Sequence, residues 1–210
     1  MGLVIKMSDG KERELLPEGN HDAIVYQLVE LGTQPNNYGP DKRVLSIGWE
    51  LPGLPPFEAD DGTKKPKCYW QRYNLPDEGK GLHPKSNLRK MLVKWRSRDF
   101  TPEEMEGFEL KTILGKPCII RIEHEVSDTT GKLYQKLMSV RKWPKDKEVP
   151  KLQNELQFFS FQDDMDVPSN LPEWMRKAIM ESYEYQHRGE EFEPPPYLDD
   201  IPEDDFDVPF

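Results

Sequence analysis

Ser86–Arg96, which reads SNLRKMLVKWR, is the stretch that decides the fold. Its apolar residues recur at the i, i+3, i+4 and i+7 positions of a helix that buries one face: Leu88, Met91, Leu92 and Trp95. Ser86 has the side chain of an N-cap, because its hydroxyl can accept a hydrogen bond from a backbone N–H of the first turn. The cations of the stretch fall on the other face, so the sequence predicts an amphipathic helix with a basic outer surface.

Segments typical of β-strands lie on both sides of this helix. Each combines alternating apolar residues with flanking turn residues, and they cover Ala23–Gly32, Lys42–Leu51, roughly Lys67–Leu75, Cys118–Val126 and Leu133–Trp143. Three strands, a helix and two strands is the order of a five-stranded Greek-key barrel of the OB type, whose helix lies between strands three and four. The sequence therefore predicts a mainly β fold of this type.

Alternation along the strands also predicts which side chains share a face. In strand one, four apolar residues are expected on one face: Ala23, Val25, Val29 and Leu31. In strand three, Tyr69 and Tyr73 are expected on the face opposite Trp70 and Arg72, because side-chain direction alternates with a period of two.

The chain is predicted to divide into four regions. Residues 1–20 are a flexible lead-in, 21–168 form the OB-type domain, 169–188 form a C-terminal helix, and 189–210 form a disordered acidic tail. The aromatic residues Phe158, Phe159 and Phe161 are expected to dock on the barrel. Asn170 is the expected cap of the C-terminal helix, whose apolar stripe consists of Leu171, Trp174, Met175, Ala178, Ile179 and Ser182.

Charge is distributed unevenly along the chain. The formal net charge is −10, yet the tail from Gly189 carries nine acidic residues and no Lys or Arg, so the preceding residues are together close to neutral. Within them, Gly62–Arg98 carries eleven Lys and Arg against two acids. A basic region and an acidic arm thus share one chain, and such an arm can compete with phosphate for the basic region.

The basic region interleaves cations with aromatic rings. Single-stranded nucleic acid is bound by this combination, because cations follow the phosphates and rings stack on bases without regard to sequence. The candidate nucleic-acid-binding residues are Lys42, Lys67, Tyr69, Trp70, Arg72, Tyr73, Arg89, Lys90, Lys94, Arg96, Tyr134, Lys136, Lys142 and Trp143. Two other interpretations stay open: about half of the rings belong to the core, or the cations form an ordinary solvated helix face.

Other functional classes have weaker support. Cys68 and Cys118 are too far apart for a metal knuckle and are typical of reduced thiols, and the sequence has neither a signal peptide nor a long apolar run. These features predict a cytoplasmic protein with no membrane partner. No catalytic triad or glycine-rich phosphate loop is recognisable, so neither an enzyme nor a cofactor is expected. The remaining catalytic alternative is a metal-dependent nuclease built on Asp163, Asp164 and Asp166.

Two parts of the sequence resemble known families. The last residues of the tail resemble the acidic Asp-Asp-Ile-Pro-Phe-type tip of bacterial single-stranded DNA-binding proteins, and Asp199–Pro202 resembles it too. Most of Ala23–Tyr185 is similar to a group of bacteriophage OB-fold proteins that bind single-stranded DNA. The motifs that carry this similarity are Leu45–Pro52 (LSIGWELP), Lys85–Lys90 (KSNLRK), Leu114–Cys118 (LGKPC) and Leu171–Trp174 (LPEW).

These resemblances imply sequence-independent binding and protection of single-stranded DNA in phage replication or recombination, within the host cytoplasm. DNA is expected to cross strands two and three and the basic face of the helix. The tip would recruit replication or recombination proteins through Asp204, Asp205, Phe206, Asp207, Val208, Pro209 and Phe210. The alternative is a DNA mimic whose acidic arm inhibits a host DNA-binding enzyme. The sequence does not predict an oligomeric state.

Overall fold

The computed structural model describes residues 14–36, 39–59, 62–76, 80–163 and 165–188, and it confirms a mainly β fold. The strands are β1 (Gly19–Gln34), β2 (Lys42–Glu50), β3 (Phe57–Glu58), β4 (Lys64–Lys65), β5 (Cys68–Asn74), β6 (Pro117–Val126), β7 (Leu133–Lys142) and β8 (Gln157–Phe159). The helices are α1 (Asn87–Arg96), α2 (Pro102–Glu106), α3 (Glu173–Met180) and α4 (Tyr183–Gln186), with a 3₁₀ turn over Leu110–Ile113. Within these ranges, no helix is long and apolar enough to cross a membrane. The predicted tail and residues 1–13 of the predicted lead-in lie outside the described residues.

The main sheet has six strands and is not closed in the described part of the chain. Its antiparallel path is β5-β2-β1-β6-β7, and β8 pairs with β1 in parallel beside this path. The edge strands are therefore β5 and β7. A separate two-stranded sheet, β3 with β4, lies between β2 and β5 in the chain. An open six-stranded sheet thus stands where the sequence predicts a five-stranded barrel.

The first of two irregularities in β1 divides its side chains between two cores. The pairing of β1 with β2 shifts register just after Val25 and again just before Gly32. An extra residue in one strand reverses the alternation of side chains beyond it. Ala23 and Val25 therefore pack in one core, whereas Val29 and Leu31 pack in a second core. The prediction that these four residues share one face is wrong for this reason.

The first core is covered by α1. The helix begins after Ser86, whose Oγ accepts a hydrogen bond from the Arg89 N–H at 3.2 Å, as predicted. Its predicted apolar stripe is buried in full: Leu88, Met91, Leu92 and Trp95. These side chains pack with the inner face of β2, including Ile47 and Trp49. Because α1 contacts both β5 and β7, it bridges the two edges of the open sheet.

The second core lies on the other face of β1 and β2, and the C-terminal segment, residues 153–188, covers it. Phe159 on β8 is buried there, together with the apolar stripe of α3. The predicted docking of the aromatic run is thereby confirmed. The predicted cap at Asn170 is wrong, because α3 begins after Pro172, which makes no side-chain capping hydrogen bond. The single predicted helix is two helices, since Ser182 interrupts it and caps α4.

Buried carboxylates fix the C-terminal segment to the sheet. They are Glu30, Glu50 and Glu184. Glu50 accepts hydrogen bonds from the backbone N–H and the side-chain amide of Asn154, at 2.8 and 2.7 Å. Glu30 accepts one from the Ser160 hydroxyl at 2.8 Å, and Glu184 accepts one from the Thr33 N–H at 2.6 Å. A buried charge is tolerated when such donors replace water, so these contacts lock the segment over β1 and β2.

The two cysteines are unpaired thiols within the fold. Cys118 is buried in the first core, and Cys68 is half-buried on β5. Burial raises the pKa of Cys68 to about 11 and also raises the pKa of Cys118. Both side chains therefore favour the neutral thiol, which is a poor nucleophile.

Candidate nucleic-acid interface

A groove of about 1540 Å³ opens between the edge strands β5 and β7. Residues of β5, α1 and β7 line it, together with residues 14–16 and Trp174. The groove exists because the sheet does not close in the described part of the chain. Leu16 occupies part of the gap, since it is buried in the first core and its N–H donates to Gln135 Oε1 at 3.0 Å. The groove is therefore a property of the open edges of the sheet.

Five of the predicted cationic residues line this groove: Lys67, Arg72, Lys90, Lys94 and Lys136. Lys90 and Lys94 are four residues apart on α1, so they lie on the same side of the helix. Lys67 Nζ lies 3.1 Å from Glu14 Oε2, which is itself exposed to solvent. Cations that line one concave surface focus a positive potential there, and the groove therefore favours an anionic ligand.

The rings of β5 lie on two faces, as predicted, and each is partly or wholly enclosed. Tyr69 and Tyr73 expose only 3% and 7% of their surface and pack in the first core. Trp70 lies on the other face, where its Nε1 donates to Oε1 of the buried Gln27 at 2.8 Å. Its ring meets Tyr26 edge-on, with centroids 6.4 Å apart. Tyr69 and Tyr73 thus line the groove wall as core residues, and little of either ring is exposed for a base to stack on.

Tyr134 and Lys136 on β7 share one carboxylate. Glu125 on β6 accepts a hydrogen bond from the Tyr134 hydroxyl at 2.9 Å and one from Lys136 Nζ at 3.0 Å. These bonds lower the pKa of Glu125, with the largest effect from Lys136. The bond to Glu125 raises the pKa of Tyr134, because it favours the protonated hydroxyl. A phosphate that enters the groove would share Lys136 with this carboxylate.

The predicted outer cations of α1 divide into two pairs. Lys90 and Lys94 line the groove, whereas Arg89 and Arg96 do not. Arg89 pairs with Asp99 at 3.2 Å. Arg96 pairs with Glu104, and its guanidinium carbon lies 4.6 Å from the ring centroid of Phe100. Arg89 and Arg96 therefore stabilise the corner between α1 and α2, and they do not line the groove.

Three other predicted residues also lie outside the groove: Lys42, Lys142 and Trp143. Lys42 begins β2 and pairs with Gln34 at the far end of β1. Trp143 follows β7, where its Nε1 donates to the Lys147 carbonyl at 2.8 Å and Lys147 Nζ lies 4.8 Å from its ring centroid. The Trp143 indole is thus engaged in contacts with Lys147 in a local turn.

Trp174 lines the groove, although the sequence prediction does not include it. The apolar stripe of the C-terminal helix places it with the core-facing residues, yet it exposes 37% of its surface. The guanidinium carbon of Arg72 lies 5.2 Å from its ring centroid. Helical periodicity could not reveal this position, because the ring projects beyond the surface that α3 buries. The signal in the sequence is a Trp at the edge of a stripe of smaller side chains.

The aspartates of the predicted alternative metal site are described in part. Asp163 and Asp166 are exposed, and Asp164 lies outside the described residues. The Asp163 N–H donates to the Ser160 carbonyl at 3.1 Å, as in a turn. Across the described ranges, no three His, Cys, Asp or Glu side chains come together as metal ligands.

The chain matches no protein-family model and no curated protein. The fold and the site define a mainly β protein whose open sheet holds a cationic groove with apolar walls. Ammonium groups spaced along an apolar surface suit a flexible polyanion that carries flat, weakly polar groups. Nucleic acid with unpaired bases has this chemistry.

Proposed function

We propose that the protein binds single-stranded DNA, without regard to sequence, in the groove between β5 and β7. The observation that carries the proposal is the convergence of five cations from β5, α1 and β7 and their flanks on one groove. Cations neutralise phosphates, and the apolar and aromatic wall accepts the faces of bases. A duplex hides those faces within its base stack, so the wall favours a single strand.

The connectivity supports an OB-type assignment. β1, β2 and β5 form a meander, α1 follows the third of these strands, and β6 returns to pair with β1 before the hairpin to β7. An OB fold is a partly open Greek-key barrel with this connectivity. The resemblance to bacteriophage OB-fold proteins supports the same assignment and a role in phage replication or recombination in the host cytoplasm. In this role the protein binds and protects DNA and catalyses no reaction.

Fluorescence anisotropy with labelled oligo-dT tests this function. Affinity is expected to fall with salt, with a log–log slope of roughly −0.7 for each phosphate contacted. Replacing Lys90→Glu together with Lys94→Glu is expected to weaken binding at least about tenfold at low salt, because two attractive contacts become repulsive. The matched control is Lys145→Glu together with Lys151→Glu, which makes the same charge change on exposed positions outside the groove.

Each outcome of this assay decides something. If both double variants lose oligo-dT affinity equally, the loss follows from net charge, and the groove is not the binding site. A wild-type protein without affinity for oligo-dT would overturn the function and favour the DNA mimic. Incubation with magnesium separates the nuclease alternative, because a binder shifts the labelled strand and a nuclease shortens it.

A further inference from the structure

Trp174 combines two properties within the described chain: it lines the groove, and it exposes 37% of its surface. We infer that Trp174, supported by Arg72, is a base-stacking site, so that helix α3 forms part of the nucleic-acid-binding surface. This inference rests on the proposed function and extends its site from the strands of the sheet to the C-terminal segment. The ligand at this position is an unpaired base with its adjacent phosphate.

The other tryptophans are less suited to stacking on a ligand. Trp49 and Trp95 expose 0% and 6% of their surface in the first core. The Trp70 Nε1 donates a hydrogen bond to the buried Gln27 side chain. Trp143 lies outside the groove, with Lys147 Nζ over its ring. Of the five tryptophans in the chain, Trp174 therefore best combines an available ring with a place in the groove.

The backbone beneath Trp174 is held firmly. Leu171, Met175 and Ile179 expose 4%, 0% and 0% of their surface and pack on β1 and β2 in the second core. The indole therefore projects from a helix whose remaining apolar stripe is already buried. A ring on a fixed support loses less conformational entropy when a base stacks on it than a ring on a flexible loop.

Arg72 gives the same position its charge. Its guanidinium carbon lies 5.2 Å from the Trp174 ring centroid, within the range of a cation–π contact. Burial lowers the pKa of Arg72, although a guanidinium stays protonated at neutral pH. A charge that is already partly desolvated loses less hydration when a phosphate approaches. One base on the indole and one phosphate beside the guanidinium match the repeat of a single strand.

Replacing Trp174→Leu tests the inference by removing the ring while keeping an apolar side chain. Base–aromatic stacking is worth about 1 to 3 kcal/mol per base, so affinity for oligo-dT is expected to fall roughly fivefold to 150-fold. Trp174→Phe keeps a ring and is expected to restore most of that affinity. Trp143→Phe is the matched control outside the groove, and it is expected to leave affinity unchanged.

Tryptophan fluorescence gives a second measurement that does not depend on the Leu variant folding. Oligo-dT is expected to quench wild-type fluorescence, and Trp174→Phe is expected to lose most of this quenching while Trp143→Phe keeps it. A wild-type protein that binds oligo-dT while Trp174→Leu binds equally well would overturn the inference and leave the proposed function standing. Undiminished quenching in Trp174→Phe would overturn it in the same way. Absence of binding by wild-type protein would instead overturn the proposed function.

Discussion

At the scale of single residues, Gly32 shows how one position allows the C-terminal segment to dock. Its φ is +74°, in the left-handed region that favours glycine. A Cβ at this position would lie 2.6 Å from Ser182 Cβ and 2.6 Å from Glu184 Oε2. Neither distance is tolerated between non-bonded atoms, so the glycine allows α4 to approach β1 and Glu184 to reach Thr33.

Replacing Gly32→Ala is expected to destabilise the protein by about 2 to 4 kcal/mol. Part of this loss comes from the left-handed backbone and part from overpacking against α4. Urea unfolding measures the change in the free energy of unfolding. Gly53→Ala is the control, because a Cβ there would meet nothing within 4 Å, and it is expected to change stability by less than about 0.5 kcal/mol. Equal stability of the two variants would contradict this account of α4 docking.

At the scale of elements, local pattern predicts what local interactions determine. The α1 stripe and its Ser86 cap follow from side chains within one or two turns, and both are confirmed. The division of β1 between two cores was not predictable in this way. It depends on α1, which packs on one face of the sheet, and on β8 and α3, which pack on the other, and all three come later in the chain. The burial of Glu50 does not follow from local pattern either, because its partner Asn154 lies 104 residues away.

The candidate site was predictable to a similar degree. Charge density and helical spacing are local properties, and from them the sequence identifies Lys67, Arg89, Lys90, Lys94 and Arg96 as ligand-facing cations. Lys67, Lys90 and Lys94 line the groove, whereas Arg89 and Arg96 do not. It does not decide which rings are enclosed, because that depends on what covers each face of β5. Tyr69 is covered from the first core, and Trp174 reaches the groove from a helix about a hundred residues further along the chain.

Replacing Glu50→Ala tests whether its buried carboxylate holds the C-terminal segment on the sheet. The change leaves the donors of Gln153 and Asn154 without their acceptor, and it is expected to cost about 2 to 4 kcal/mol of unfolding free energy. Urea unfolding and limited proteolysis near residues 150–156 measure the loss. Glu106→Ala, on the exposed surface of α2, is the matched control. Unchanged proteolysis of the Glu50 variant would show that the carboxylate does not hold the segment.

At the scale of the whole molecule, the two faces of the sheet are already occupied by the chain itself. The first core and α1 cover one face, and β8, α3 and α4 cover the face of β1 and β2 opposite to it. The sequence places the DNA path across strands two and three, whose outer face carries the buried Ser46 and Glu50. The proposed path therefore runs along the edges of the sheet, where the groove is open to solvent.

Deleting residues 189–210 tests whether charge outside the described residues regulates the groove. The deletion removes nine acidic residues and brings the formal net charge from −10 to about neutral. Affinity for oligo-dT is expected to rise several-fold at low salt, because fewer like charges compete with phosphate for the groove cations. The Debye length falls from about 10 Å at 0.1 M salt to about 3 Å at 1 M, so the advantage of the deletion is expected to shrink as salt increases.

The control is Phe206→Ala with Phe210→Ala, which keeps all nine acids and is expected to leave oligo-dT affinity unchanged. If the deletion leaves affinity at low salt unchanged or weakens it, the tail does not compete with DNA for the groove. A gain in affinity that persists at high salt would point to a non-electrostatic contact.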